Sequence, residues 1–393
     1  LNCAYTLPKH LNVLLFEKHD LGGRIYTHKN ADMVVEAGAA RFSKRHKRLM
    51  QLLRDFELDN KLIPLPTTDP VYIDTHDASA CYDDIKRILD AILHNPRKPS
   101  IHHTFIEHAS LIVGKSDISL LKKGFGYSAE LTIMNARDAL ALLKTYAEPF
   151  FVLEGGLGQL IRRMVQNVHH ISEEVLDVTF RESVFHVVTA TQTYTSTLCI
   201  STVQRPHLER FTIAKPLVQK LQYIKSAPLC RIYANAHIPK KIFTNSHLKM
   251  IIPVSETVAM VSYTDSVYAE KWKKIKDDGG DKAVLAKLNK LFAELEIKTK
   301  IKNVNMFYWP YGVGYWGVGA DSKKMQRDLV HPFKNIPFYI CGENFSSANQ
   351  QWIEGALETS SNVVKLVKQS LQFQKTRKRQ PKFGISTRKI TGQ

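Results

Sequence analysis

Leu14-Leu-Phe-Glu-Lys-His-Asp-Leu-Gly-Gly-Arg24 near one end of the chain, and Tyr339-Ile-Cys-Gly-Glu343 followed by Trp352-Ile-Glu-Gly-Ala356 near the other, decide the fold between them. Asn12 to Glu17 is a short apolar run that stops at an acid, as the second strand of a βαβ unit does. The Gly22-Gly23 turn behind it lets the backbone approach a pyrophosphate, and Arg24 can neutralise that charge. Residues 338–341 read as a last core strand. They lead through Gly342-Glu343 to a helix from Trp352 to Leu371, whose free N–H groups suit an electron-rich ligand.

The chain has 393 residues and is 44% hydrophobic, enough to bury large cores in two domains. Its formal net charge of +18 suits a polyanion, an acidic membrane or an anionic substrate, although a solvated lysine-rich surface explains it more simply. Cys3, Cys81, Cys199, Cys230 and Cys341 lack C-x-x-C spacing, so neither a zinc site nor a disulfide framework is read. His102-His103 and His169-His170 do not complete a metal motif either. Without an apolar run of the ~18 residues that span a bilayer, and without a readable signal peptide, an intracellular, cytoplasmic setting is expected.

Leu1 to Leu7 reads as a helix closed by Pro8, and Lys44 to Leu58 as an amphipathic helix carrying Leu49, Leu52, Leu53 and Phe56. Pro64 to Pro70 marks a boundary. Residues 71–150 read as mainly helical. Leu153-Glu-Gly-Gly-Leu-Gly158 is a turn that opens a helix, and Val184–Val188, Thr197–Val203, Leu229–Ala236 and Met250–Tyr263 read as strands. Lys271 to Leu295 contains a helix interrupted at Gly279-Gly280. Beyond Gln374 the chain is basic and aperiodic, which predicts a disordered tail: a solvated end, a polyanion contact or a nuclear-import signal.

Together these segments resemble the flavin-containing amine oxidase family, which includes monoamine, polyamine and L-amino-acid oxidases. The resemblance is densest at residues 13–58, 153–203 and 338–367. It implies an α/β fold: an FAD/NAD(P)-binding Rossmann-like three-layer domain with an interleaved α+β substrate domain. The FAD-binding parts would be 1–70, 151–225 and 331–373, the substrate parts 71–150 and 226–330, and the tail 374–393. It also implies non-covalent FAD, because Gly314 falls where monoamine oxidases carry the flavin-binding cysteine. Glu17 would hold the ribose, Gly22, Gly23, Arg24 and Gly38 the pyrophosphate region, Val175 the adenine, and Gly342, Glu343, Trp352 and Ile353 the other end of the cofactor. The usual G-x-G-x-x-G has no counterpart ahead of Glu17, and its strand and loop are expected upstream of Leu1.

On the substrate side, Arg41 in Glu36-Ala-Gly-Ala-Ala-Arg-Phe-Ser-Lys-Arg-His46 resembles the arginine with which L-amino-acid oxidases clamp a carboxylate, next to the flavin. Trp352 would form one aromatic wall. Tyr315, with Trp316 beside it in a glycine-rich segment read as a loop, would form the other. Where the family carries a lysine near flavin N5, this chain places Arg231, or Cys230 under a one-residue shift. The implied reaction is oxidation of an amine or L-amino acid to the imine by hydride transfer to N5, with oxygen as acceptor giving hydrogen peroxide. The alternatives are a polyamine oxidase or related desaturase, and a non-catalytic remnant of the fold.

Overall fold

The computed structural model describes residues 1–65, 69–77, 79–145 and 149–379. Two parallel ribbons form the centre of one half: Leu15–Phe16 beside His170–Ile171, and Cys199–Ser201 beside Phe338–Ile340. The alternation in Phe338-Tyr-Ile-Cys341 sends its side chains to two layers. Tyr339 and Cys341 pack under helices Asn2–Thr6 and Ile353–Arg379 with Cys3, Leu7, Val363 and Val367, and Val13 reaches the same cluster. Phe338 and Ile340 pack the other way, against Val178 and Phe185 of the antiparallel strands Asp177–Arg181, Val184–Val188 and Thr193–Ser196. Helix, parallel strands and meander make the three layers of the expected α/β class.

The other half is built on a six-stranded sheet in the order Asn305–Trp316, Ile224–Asn235, Val258–Asp265, Met250–Pro253, Ile242–Thr244, Val71–Ile73. One face carries Cys230, Ile232 and Ala234 against the long helix Ser266–Glu294, with Trp272 and Phe292 fully buried between them. Helices Tyr82–Leu93, Phe105–Ala109, Lys115–Gly124, Ser128–Thr132 and Ala136–Leu143 cover part of the opposite face.

Three elements differ from the sequence reading. Tyr308 to Trp316 is not a loop but part of a twelve-residue strand. Its glycines allow close approach: a Cβ at Gly312 would lie 2.4 Å from the Leu229 Cβ, and one at Gly314 would lie 2.1 Å from Asn344 Nδ2. Met250 to Tyr263 is two strands, because the chain reverses at residues 254–257. The terminal helix continues to Arg379, through the start of the segment read as a tail; 380–393, and 66–68 of the Pro64–Pro70 stretch, lie outside the described residues. The long helix does break as read, at Gly280, whose φ of +64° is left-handed. Among the described residues no helix is long and apolar enough to cross a membrane.

Some helix starts in this fold are capped by carboxylates from distant segments, beside locally capped ones such as those at Thr104 and Asn135. Buried Glu354, in the first turn of the last helix, accepts from the N–H groups of Arg48 (3.1 Å) and Leu49 (3.1 Å) at the start of helix Lys47–Asp55. That one carboxylate supplies the cap that His46, at the N-cap position, does not make. Glu354→Ala therefore lowers the free energy of unfolding by about 2 kcal/mol. The exposed Glu294→Ala changes it by under about 0.5 kcal/mol. Urea denaturation of both variants checks the contrast.

Candidate active site

Gly22 and Gly23 adopt φ values of +120° and +55°, which side-chain-bearing residues avoid. A Cβ at Gly22 would meet Ile25 O at 2.8 Å, whereas one at Gly23 would have only Glu17 Oε2 nearby, at 3.8 Å. The turn is thus tight at the first glycine and open at the second, beside the Glu17 carboxylate. It directs Arg24 to Glu343, which accepts from Nη1, while Nη2 reaches Asn344 Oδ1 at 3.4 Å. The other Glu343 oxygen accepts the Gln351 N–H at 3.0 Å. Gly38 packs on the same turn, where a Cβ would lie 2.0 Å from Arg24 O.

In the residues that flank this ion pair, two buried amide groups, Asn344 Nδ2 and Gln351 Nε2, lack a hydrogen-bond partner among the described residues. Unpaired buried donors are costly unless something else fills them. An anionic or carbonyl-bearing group fits them, as it fits the open turn at Gly23. Val175 sits partly buried between strands His170–Ile171 and Asp177–Arg181, at the edge of the Phe185 cluster. Ile353 begins the last helix and packs in the core around Phe42 and Leu357.

The sheet holds residues 36–38 by their carbonyls. Arg231 donates through Nη1 to Glu36 O (2.9 Å) and Gly38 O, Tyr233 OH to Glu36 O (2.7 Å), and Trp309 Nε1 to Ala37 O (2.7 Å). Arg41 follows directly. Its guanidinium lies 4.9 Å from the Phe150 ring centre, 5.8 Å from Trp352 and 5.9 Å from Tyr127, and Nη2 donates to Tyr127 OH at 2.8 Å. Trp352 stacks on Phe150 at 5.4 Å with the rings nearly parallel, and His46 leans on it at 5.0 Å. Tyr127 meets Tyr263 edge-on at 5.5 Å, and Arg231 lies 4.9 Å over Tyr263. Two rings, Tyr127 and Tyr263, therefore stand in sequence between the Arg41 and Arg231 cations.

Arg231, not Cys230, points to this side; Cys230 is buried against the long helix, where desolvation pushes its thiol up. Arg231 is held by carbonyls and by Tyr263 OH, and its buried Nε has no hydrogen-bond partner among the described residues. Tyr315 is buried in the helical cluster that Trp352 also borders, and burial raises its phenol well above the usual value. Trp316 is not brought to them: strand alternation turns it to the opposite core, where Nε1 donates to Ser346 O at 2.8 Å. Lys241, unread in the sequence, lies 4.4 Å over Phe243, and desolvation followed by the Arg41 charge pulls its pKa down to about 7. Buried Asp265 accepts the Ser128 and Ala129 N–H groups at 3.0 and 2.8 Å.

Tyr127, Tyr263, Phe150 and Lys241 lie outside the motif segments, and only the fold reveals them. His46 had a signal, since it closes the Arg41-Phe-Ser-Lys-Arg-His entry to a helix.

With this geometry in place, the comparisons are consistent. The sequence profile described as flavin containing amine oxidoreductase matches residues 1–367, and the chain belongs to that family. No curated protein matches the chain. Among solved structures, wild-type putrescine oxidase bound to putrescine is similar at 15% identity and a TM-score of 0.72, covering 94% of this chain and 96% of that one. Its A394C mutant gives 14% and 0.73, with the same coverages. A protein assigned as a protoporphyrinogen oxidase from Exiguobacterium sp. 255-15 gives 14% and 0.71, also over 94% and 96%. These likenesses are of fold. The family membership makes the protein a flavoprotein of the oxidoreductase class, with FAD as its cofactor.

His46 gives the site a pH signature. Burial, with the Arg45 charge second, lowers its pKa from 6.5 to about 4. The unfolded chain then binds the proton more readily, so the stability this neutral ring contributes is full above pH 6.5 and falls as the pH drops toward 4. Between pH 7 and pH 5 the native protein should lose about 2 kcal/mol more than His46→Gln does. Urea unfolding at both pH values measures it, and equal losses would remove His46 as the cause.

Proposed function

We propose that the protein oxidises the C–N bond of a substrate carrying both an amine and a carboxylate, an L-amino acid or close analogue, with molecular oxygen as the final acceptor. The observation that carries this reading is the Arg41 guanidinium set among Phe150, Trp352 and Tyr127. A planar cation with paired donors suits a carboxylate. The rings around it restrict water, which strengthens that contact.

Glu17, Gly22, Gly23 and Arg24 would hold the ribose and pyrophosphate of FAD, with Asn344 and Gln351 offering their unpaired amides beside Glu343. FAD, when bound, supplies the two-electron acceptor for the reaction. The protein's own part is to bind, orient and desolvate. Arg41 takes the carboxylate; Trp352 and Tyr315 border the place for the amine and its carbon. Arg231 fixes residues 36–38 and so the approach of Arg41. A guanidinium does not release its proton near neutral pH, so Arg231 serves as a donor, not as a base. Gly314 has Asn344 against it and no room for a side chain, which supports non-covalent binding.

Arg41 and Arg231 make a diamine a poor fit, because a second cation would face like charges. Arg41→Met should raise KM for amino acids roughly 10- to 100-fold and leave KM for simple amines within about threefold. Equal effects on both classes would reject the clamp. Protein that purifies without flavin colour and is not reconstituted by FAD would favour the non-catalytic reading.

A further inference from the structure

We propose that Cys3 and Cys341 are a redox-active thiol pair, a site of reversible disulfide formation that fastens the N-terminal helix to the strand end before Gly342 and Glu343. In the sequence they are 338 positions apart, yet their sulfurs lie 3.7 Å from each other. Both are buried, Cys3 at 7% and Cys341 at 1% exposure, in a cluster with Leu7, Tyr339 and Val363. Cys3 Sγ also approaches Ser360 O at 3.8 Å, so the pair sits where the first helix, the last helix and the central strand meet. A disulfide needs about 2.05 Å between sulfurs, so the pair has to close by under ~2 Å.

The two thiols are unequal. Either sulfur can donate across their contact, but Cys3, at 7% exposure against 1% for Cys341, is the one an oxidant reaches first. Cys3 is thus the nucleophile and Cys341 the resolving thiol. The oxidant is hydrogen peroxide, supplied from any source, so the inference stands apart from the substrate proposed above. The Cys3 thiolate attacks one peroxide oxygen, the O–O bond breaks, and the departing hydroxide takes a proton to leave as water. Cys341 sulfur then attacks the sulfenic sulfur, the S–O bond breaks, and the hydroxyl leaves with the Cys341 proton as a second water. Two thiols are oxidised by two electrons, and one peroxide is reduced to two waters. The other cysteines differ: Cys81 is exposed, whereas Cys199 and Cys230 pack in other apolar clusters.

Titrating the purified full-length chain with hydrogen peroxide, then blocking remaining thiols with N-ethylmaleimide, tests this. Peptide mapping without reductant should recover Cys3 and Cys341 in one cross-linked peptide, two hydrogens lighter than the sum. Closing so long a loop should speed migration on a denaturing gel, and dithiothreitol should reverse the shift. Cys3→Ser and Cys341→Ser should each abolish the fast band, and Cys81→Ser should keep it. Mapping the unmutated protein does not depend on how the variants fold. Modification of Cys81 alone, or Cys3 driven to sulfinic acid while Cys341 stays reduced, would overturn the proposal.

Discussion

The buried carboxylate of Glu343 ties the glycine turn near one end of the chain to the segment before the last helix. One oxygen accepts from Arg24 in the Gly-Gly-Arg turn, and the other accepts the Gln351 N–H just before the last helix. Buried at 5% exposure, such a charge is tolerable only when its lone pairs are filled. The glycine turn must therefore aim Arg24 inward, and the backbone at Gln351 must take its unusual φ of +68° to present an N–H. Trp352, placed by that same turn of chain, inherits its position from this constraint, and so does the aromatic group around Arg41.

The same device recurs. Glu354 caps the helix that follows Arg41, Asp265 caps the short helix that follows Tyr127, and Glu36 accepts the Leu157 N–H at the start of the helix opened by the glycine turn. In each case the carboxylate comes from a segment more than 120 positions away in sequence. Helix N-termini carry partial positive charge and unpaired donors, so these acids satisfy the helices and fix their placement together. The residues around the candidate site are held by backbone electrostatics as much as by apolar packing.

Much of this architecture was legible in the residues, because it depends on local signals. A strand ending in Glu17, paired glycines with Arg24, and Gly342-Glu343 before a helix each state their conformation in a few positions. The strand at Tyr308–Trp316 was not legible, since its glycines signal a loop locally and only the approach of Leu229 and Asn344 explains them. The reversal at residues 254–257 lacks Gly and Pro, so two strands read as one. The site was legible in its cations and incompletely in its rings. Arg41, Arg231 and Trp352 lie in motif segments, whereas Tyr127, Tyr263 and Phe150 reach them only through tertiary structure. Trp316 shows the complementary failure: adjacent aromatics in a strand face opposite sides, and only the register tells which one is turned to the site.

The separation of Arg24 and Glu343 by 319 positions also has a meaning in time. A ribosome adding about 5–20 residues per second needs roughly a quarter of a minute to a minute between the two. Throughout that interval the glycine turn exists without the carboxylate that fixes Arg24, although its strand meets His170–Ile171 earlier. Contacts of such long sequence separation carry the full entropy of loop closure before they give any stabilisation. The apolar Leu11-Asn-Val-Leu-Leu-Phe16 stretch is open to misassociation until its partners are made. Pairing with His170–Ile171 covers the strand first, and arrival of the last strand and helix completes the turn.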